Sequence, residues 1–396
     1  MEQQQSRLEL IDSLRGFALM GLFLVHMVEL FELYWAHPTP SVVHDWVFGL
    51  FAGKAFALFA LCFGLSFFII MDRAAKRGVD FSARFAWRLA ILFVFGLLHG
   101  IVYRGDILQI LAPMGLLLLL FDRIKSRSVL LVIAALCFAE LPLLIHAGSA
   151  FAGAEWAQRL PHFFDDSSLK IVADGSLSQA FSANLVDGAL SKWWFYIETG
   201  RLTEIAGLFV IGLLLGRIGF FADPRLFVLE RRFVLGGAVL TWIALYFIGP
   251  VCLDLATRLG DAGGSAQRNM GFALESWSAL AAMTAQVVLF VELYQTAAQP
   301  VLKLLAPVGR MTLTLYVGQS LVFVPIFYGF GLGMHSWISQ GEALAIGIVA
   351  FALQIAFARL WFRHFLYGPL EWLWRALTNT TLAIPFVRRQ PSAQRA

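Results

Sequence analysis

Apolar residues along this chain come in runs of about 20, the length a helix needs to cross a ~30 Å hydrocarbon core at ~1.5 Å rise per residue. The runs lie near 14–34, 46–71, 86–103, 107–121, 128–147, 200–221, 233–250, 274–295, 311–332 and 342–362. None shows the alternating apolar and polar positions of a membrane barrel strand. An unpaired backbone group is costly in lipid, so helices are the spanning element. The pattern predicts an all-α, polytopic transmembrane bundle of about ten helices.

Composition removes the soluble alternative. Hydrophobic residues make up 59% of 396 positions and charged residues only 14%, with mean hydropathy +0.74. A soluble chain of this size needs a polar skin that these numbers do not supply. Three cysteines cannot staple so long a chain, and Cys62, Cys137 and Cys252 read as small buried hydrophobes.

The net charge of +4 does not point to nucleic acid, because basic residues fall between the apolar runs rather than along one face. Arg73, Lys76, Arg77 and Arg84 follow the second run, Arg123, Lys125 and Arg127 the fourth, and Arg225, Arg231 and Arg232 the sixth. Lys303 and Arg310 follow the eighth, and Arg363, Arg375, Arg388 and Arg389 the tenth. Short basic loops stay in the cytoplasm, so both termini are expected there. The first run lacks a small-residue cleavage site and is read as a retained helix.

Three parts are expected: an N-terminal five-helix half at 1–147, an amphipathic segment on the outer face at 148–199, and a C-terminal helical half at 200–396. The middle part carries Asp165, Asp166, Lys170, Asp174 and Asp187 among aromatic residues. Residues 251–273, Gly-rich and polar, read as a mobile lid.

Ionisable groups inside a span mark function by default. The first helix holds Asp12 and Arg15 at its inner end, His26 ~16 Å further along, then Glu29 and Glu32, with His37 at the outer end. Arg15, His26 and Glu29 fall near one face at ~100° per residue. A single intramembrane His also serves as a plain interhelical hydrogen-bonding group, at about even odds. Lys54 in the second span needs a carboxylate or an anion, and Glu29 or Glu32 lies at comparable depth. The turn His99-Gly-Ile-Val-Tyr-Arg-Gly-Asp106 gathers His99, Arg104 and Asp106, where Asp106 is equally placed to cap the next helix. No nucleotide-binding, Cys-x-x-Cys or His-Glu-x-x-His pattern occurs, so no metal is expected; His37 with His44 is a weak pair. Gly212-x-x-x-Gly216 reads as close helix packing.

Several stretches resemble the YeiB-like bacterial membrane proteins that carry the DUF418 domain. They are Leu14-Arg-Gly-Phe-Ala-Leu-Met-Gly21, Gly53-Lys-Ala-Phe-Ala-Leu-Phe-Ala-Leu-Cys-Phe-Gly64 and Gly96-Leu-Leu-His99 leading to Gly105-Asp-Ile-Leu108. Val308-Gly-Arg-Met-Thr-Leu-Thr-Leu-Tyr-Val-Gly-Gln-Ser320 and Gly368-Pro-Leu-Glu-Trp-Leu-Trp-Arg375 extend the likeness through the C-terminal half, and Leu315 departs from the Asn common in the family. That family is grouped with the transmembrane acyltransferases. The grouping implies roles for Arg15 and His26, spaced as in the acyltransferase-3 proteins, and for His37, which falls where the heparan-α-glucosaminide enzyme has its catalytic His. Close relatives often carry Asn at position 26.

The resemblance thus implies an acyltransferase of the bacterial inner membrane, moving an acyl group from a cytoplasmic donor such as acyl-CoA to an outer-face acceptor. His26 and His37 are the competing bases, with His99 and Asp106 as further catalytic candidates. Arg15, Lys54, Asp12, Glu29 and Arg104 are the substrate-binding candidates. Membrane lipid, a small acyl donor and an acceptor are the partners implied, and a homodimer is compatible with this class. Two rivals stand beside it: a transporter of a small anionic or amphipathic molecule using the same polar column, and a scaffold without turnover.

Overall fold

The computed structural model describes residues 2–164, 168–223, 226–258 and 264–388. Asp165, Asp166, Arg225 and Arg389 lie outside the described residues. The described chain is helical, with one isolated bridge between Phe365 and Val387.

The N-terminal part runs α1 (Glu2–Val28), α2 (Val42–Phe51), α3 (Lys54–Ala75) and α4 (Ser82–Val102), then α5 (Leu108–Met114) and α6 (Leu117–Arg123). It ends with α7 (Arg127–Phe138) and α8 (Leu141–Phe151). Short helices follow: α9 (Ser168–Asp174), α10 (Leu177–Ala183) and α11 (Ala189–Glu198). Then come α12 (Arg201–Ile218), α13 (Val228–Arg258), α14 (Ser265–Leu293), α15 (Gln299–Leu302), α16 (Ala306–Arg310), α17 (Thr312–Phe327), α18 (Gln340–His364) and α19 (Pro369–Thr378).

Seven helical stretches among the described residues are long and apolar enough to cross a membrane, or eight if the bent pair Gln299–Arg310 and Thr312–Phe327, kinked by 79°, is one span. The chain is a multi-pass membrane protein. Two expected runs fall short for visible reasons. The run at 107–121 breaks into two seven-residue helices around Pro113 and Gly115, since proline removes a ladder N–H and obstructs the preceding turn. The run at 200–221 forms α12, whose 18 residues include Arg201, Glu204 and Arg217. The expected second crossing is itself broken at Ala52–Gly53, where Gly53 takes φ 75°.

Packing centres on α3 and α12, and the expected glycine contact is there. A Cβ on Gly212 would stand 2.2 Å from Leu61 O, so only glycine lets these backbones meet. A Cβ on Gly309 would stand 1.7 Å from Asp12 O, which pins α16 against α1 in the same way. By contrast α13 is peripheral, with Phe233, Leu240 and Tyr246 exposed as suits a lipid-facing helix.

Residues 251–273 do not form the expected lid. α13 continues to Arg258, held by an Asp254–Arg258 ion pair of 2.8 Å one turn apart, and α14 begins at Ser265. Residues 259–263 lie outside the described residues. The 148–199 segment does form short helices: α9 packs on the turn Leu33–Ala36 beyond α1, α10 on α4 and α11 on α12.

Candidate functional site

The ionisable residues of the first helix separate into two ends rather than one column. Asp12 and Arg15 pair at 2.8 Å, and Arg15 also donates to Ser66 Oγ on α3, whose hydroxyl turns back to Cys62 O. Arg73 and Arg310 face Asp12 as well. Nearby guanidiniums lie on aromatic faces: Arg310 is 3.9 Å from the Phe362 ring centroid, and Arg88 is 3.5 Å from that of Trp374 on α19. Lys303 meets Glu9 at 3.0 Å. This is the basic end of the bundle. Ala18, Leu19 and Phe23, all fully buried, lie between it and His26.

At the opposite end α1 stops in three successive left-handed residues, Leu30, Phe31 and Glu32, with φ of 51°, 52° and 79°. The Phe31 N–H donates to His26 O at 2.7 Å, closing a carbonyl that the helix end would leave bare. Such backbone is costly for side-chain-bearing residues and is held here by its surroundings. It folds Phe31 back beside the His26 ring, at 5.5 Å, with Tyr103 at 5.2 Å on another side. It also delivers Glu32 to Arg104, which it meets at 2.8 Å.

The centre of this end is His99 with Asp106. His99 lies in the last turn of α4, and its Nδ1 is 2.7 Å from Asp106 Oδ1, both side chains being 1% exposed or less. An ionised carboxylate only accepts, so Nδ1 carries the hydrogen and donates. The other carboxylate oxygen accepts from the Gln109 N–H at 2.9 Å, filling a free donor in the first turn of α5. His99 Nε2 is buried and has no hydrogen-bond partner among the described residues. Tyr316 of α17 presents its ring to the imidazole at 5.0 Å, and its Oη accepts from the Ile107 N–H at 3.1 Å. A carboxylate that fixes one ring nitrogen and leaves the other a bare acceptor is the arrangement of a general base.

His26, His99, Asp106 and Arg104 are therefore brought together, with Glu32 beside them. His99 lies within electrostatic reach of His26. Glu29 is close too: it accepts from Trp35 Nε1 at 2.8 Å and faces Glu32 and Tyr103. His37 is exposed beyond the turn and, among the described residues, shares no contact with His26 or His99. Lys54 does not pair with Glu29 or Glu32. The break before α3 turns it so that its ammonium donates to Phe48 O at 3.2 Å, and its charged neighbours are Glu275 and Arg201. Asp12 and Arg15 stand apart at the basic end. Among the described residues no three His, Cys, Asp or Glu side chains converge as a metal set.

Three contributors escaped the sequence reading. Lys192 on α11 is 8% exposed and faces Asp106 and Glu32. Tyr196, one turn on, is buried against Phe56. Ser168 on α9 accepts from Arg104 Nη1 at 2.8 Å. Their signal was a lysine set in the apolar, Trp-rich stretch 189–198, a buried-charge pattern as informative as that of Lys54.

Comparison with known proteins ties both halves to one lineage. Residues 215–381 match the model described as protein of unknown function (DUF418). Residues 7–158, which include His26, His99 and Asp106, match that of the heparan-alpha-glucosaminide N-acetyltransferase catalytic domain. Over 94% of both chains it is 26% identical to the uncharacterized protein YxaH of Bacillus subtilis. It is 27% identical to the uncharacterized protein YeiB of Escherichia coli, over 93% of this chain and 95% of that one. An uncharacterized 39.9 kDa protein from the amylase 3' region of Bacillus acidopullulyticus is 24% identical over 94% of each. The chain is thus similar over nearly its whole length to the bacterial YeiB and YxaH proteins, with a C-terminal stretch that matches DUF418 and an N-terminal stretch that matches the heparan-alpha-glucosaminide N-acetyltransferase catalytic model.

Proposed function

We propose that this protein is a transmembrane acyltransferase in which His99, oriented by Asp106, is the general base. The observation that carries the reading is the buried His99 Nε2, left without a partner while Nδ1 is held by carboxylate. The acyltransferase likeness of residues 7–158 supports it, because the same stretch supplies the dyad.

Nε2 takes the proton of an acceptor hydroxyl or amine as that atom attacks a thioester carbonyl. The new C–O or C–N bond forms, the C–S bond breaks, and the proton returns from Nε2 to the leaving thiolate. Lys192 is the cation near the dyad suited to the negative charge that builds on the carbonyl oxygen. His26 belongs to the same chamber and acts beside the dyad, whereas His37 has no part in it. The basic end, with Arg15, Arg73, Arg88 and Arg310, suits the phosphates of an anionic donor such as acyl-CoA. With that end cytoplasmic, donor and acceptor approach from opposite faces of a bacterial inner membrane.

The test is transfer of label from radiolabelled acetyl-CoA by the purified full chain, to membrane lipid or saccharide extracts, with His99→Gln and Asp106→Asn beside it. Transfer that depends on both residues is expected. Undiminished transfer in both variants overturns the assignment. A transporter reading draws on a different observation, the helix break at Glu140 inside the apolar stretch Arg127–Phe151, with Gly200 at the start of α12 against it. Uptake of a chemically unchanged solute into proteoliposomes decides for it.

A further inference from the structure

A second polar group lies away from the dyad, where two helices break at the same depth. Glu140 joins α7 to α8 in left-handed backbone, φ 50°. It stands near the middle of the apolar stretch Arg127–Phe151. Gly200, φ 77°, precedes α12. A Cβ there would be 2.1 Å from Glu140 Oε2, so glycine is what admits the carboxylate. Glu204 follows in the first turn of α12, and Ser276 comes from the adjacent α14.

Counting donors shows a deficit. Ser276 Oγ donates to Glu140 Oε1 at 2.7 Å. Thr203 Oγ1 lies 3.3 Å from Glu140 Oε2 but 2.7 Å from Gly200 O, and its single proton goes to the shorter contact. Glu140 is fully buried and Glu204 is 3% exposed; Glu204 Oε1 is buried without a hydrogen-bond partner. Glu204 itself faces Arg201 first, then Glu140, Glu275 and Ser276.

One cation, Arg201, faces Glu204, and Lys54 faces Glu275 instead. The Arg201 guanidinium lies over Phe195 and Phe56, at 4.9 and 5.3 Å. Lys54 donates to Phe48 O and faces Glu275. Neither donates to Glu140 or Glu204 among the described residues. Two carboxylates in an apolar slab, with one hydroxyl donor and the single Arg201 guanidinium facing them, are left one positive charge short.

We propose that Glu140 and Glu204, bridged by Ser276, form a binding site for one small monovalent cation, a proton or Na⁺, at the joint between the two helix breaks. Both sources offer the same chemistry, one positive charge among carboxylate and hydroxyl oxygens. The bound cation draws α8, α12 and α14 together, and its loss leaves like charges facing across the joint. The site is independent of the acyl-transfer reading.

The experiment follows the unfolding midpoint of the purified full chain in detergent. Choline chloride replaces NaCl at constant ionic strength, at neutral and at alkaline pH. If Na⁺ is the occupant, the midpoint rises by several degrees with Na⁺. If a proton is, the midpoint is indifferent to Na⁺ and falls as pH rises, because the folded state alone binds the proton. Either result supports the site provided that Glu204→Gln, which supplies a neutral isostere, flattens the response. Ser276→Ala keeps both carboxylates, removes the bridge and must weaken the response, so the test survives a poorly folding Glu204→Gln. A wild-type midpoint insensitive to both cations overturns the proposal, as does an unchanged response in Glu204→Gln and Ser276→Ala.

Discussion

The two ends of this bundle handle charge differently. At the dyad end His99 and Asp106 are both buried, and every oxygen of the carboxylate is assigned, yet one imidazole nitrogen is left over. At the basic end Arg15 and Asp12 keep 26% and 18% exposure, and the Arg88 and Arg310 guanidiniums rest on aromatic faces. A buried, directional arrangement suits chemistry at one atom, whereas a partly exposed, redundant one suits attraction of a diffuse charge.

That contrast breaks most sharply at His99. His99→Gln keeps a buried amide but no base, and transfer is expected to fall by about 10²- to 10⁴-fold with folding intact. Label transfer and the unfolding midpoint, measured on the same preparation, check it; equal activity would erase the distinction between the ends.

Asp106→Ala comes next in size. It strips the partner from a buried imidazole and the acceptor from the Gln109 N–H, and a loss of about 3 kcal/mol in stability is expected. Asp106→Asn should lose far less stability and still lower activity, because the amide can present the wrong group to Nδ1. Chemical denaturation of the two variants separates these effects.

Arg15→Ala at the basic end is the milder counterpart. Its ion pair is mostly buried and Arg15 also donates to Ser66, so a stability loss of about 2 kcal/mol is expected, smaller than that of Asp106→Ala. Donor KM should rise more than kcat falls, and the rise should shrink at high salt. A stability loss as large as that of Asp106→Ala would show that the basic end is structural.

The smallest effect belongs to Asp80, at the exposed start of α4. The Ser82 N–H, 2.9 Å away, holds the Asp80 carboxyl below its usual range. Its contribution is complete above the ordinary carboxylate range and is lost as pH falls through the lowered value. Amide exchange in the first turn of α4 should therefore quicken only in acid, and in Asp80→Ala it should be quick throughout.

Much of the architecture was readable because lipid imposes one rule on every span, and runs such as 86–103 and 342–362 became α4 and α18 nearly as expected. The His99–Asp106 turn was readable too, since only six residues separate the two and confine both groups to one corner. Lys54 was misplaced because depth along a helix says nothing about direction once Gly53 breaks the chain. Arg15 and His26 were joined on paper by helical phase alone, while the fully buried Leu19 and Phe23 between them fill the path. Lys192 and the Glu140–Glu204 pair were hidden for a shared reason. Each depends on a partner more than 60 positions away, which no local pattern can announce.

One contact described above bears on how the chain can be cut. The Tyr316 hydroxyl, from the stretch matched at 215–381, caps Ile107 beside the dyad, which comes from the stretch matched at 7–158. The two matched regions are therefore shares of a single interior, not separable modules. Fragments divided between them would each present an unfilled seam, and recovery of the imidazole's setting would require co-expressing both pieces so that they reassemble in the bilayer.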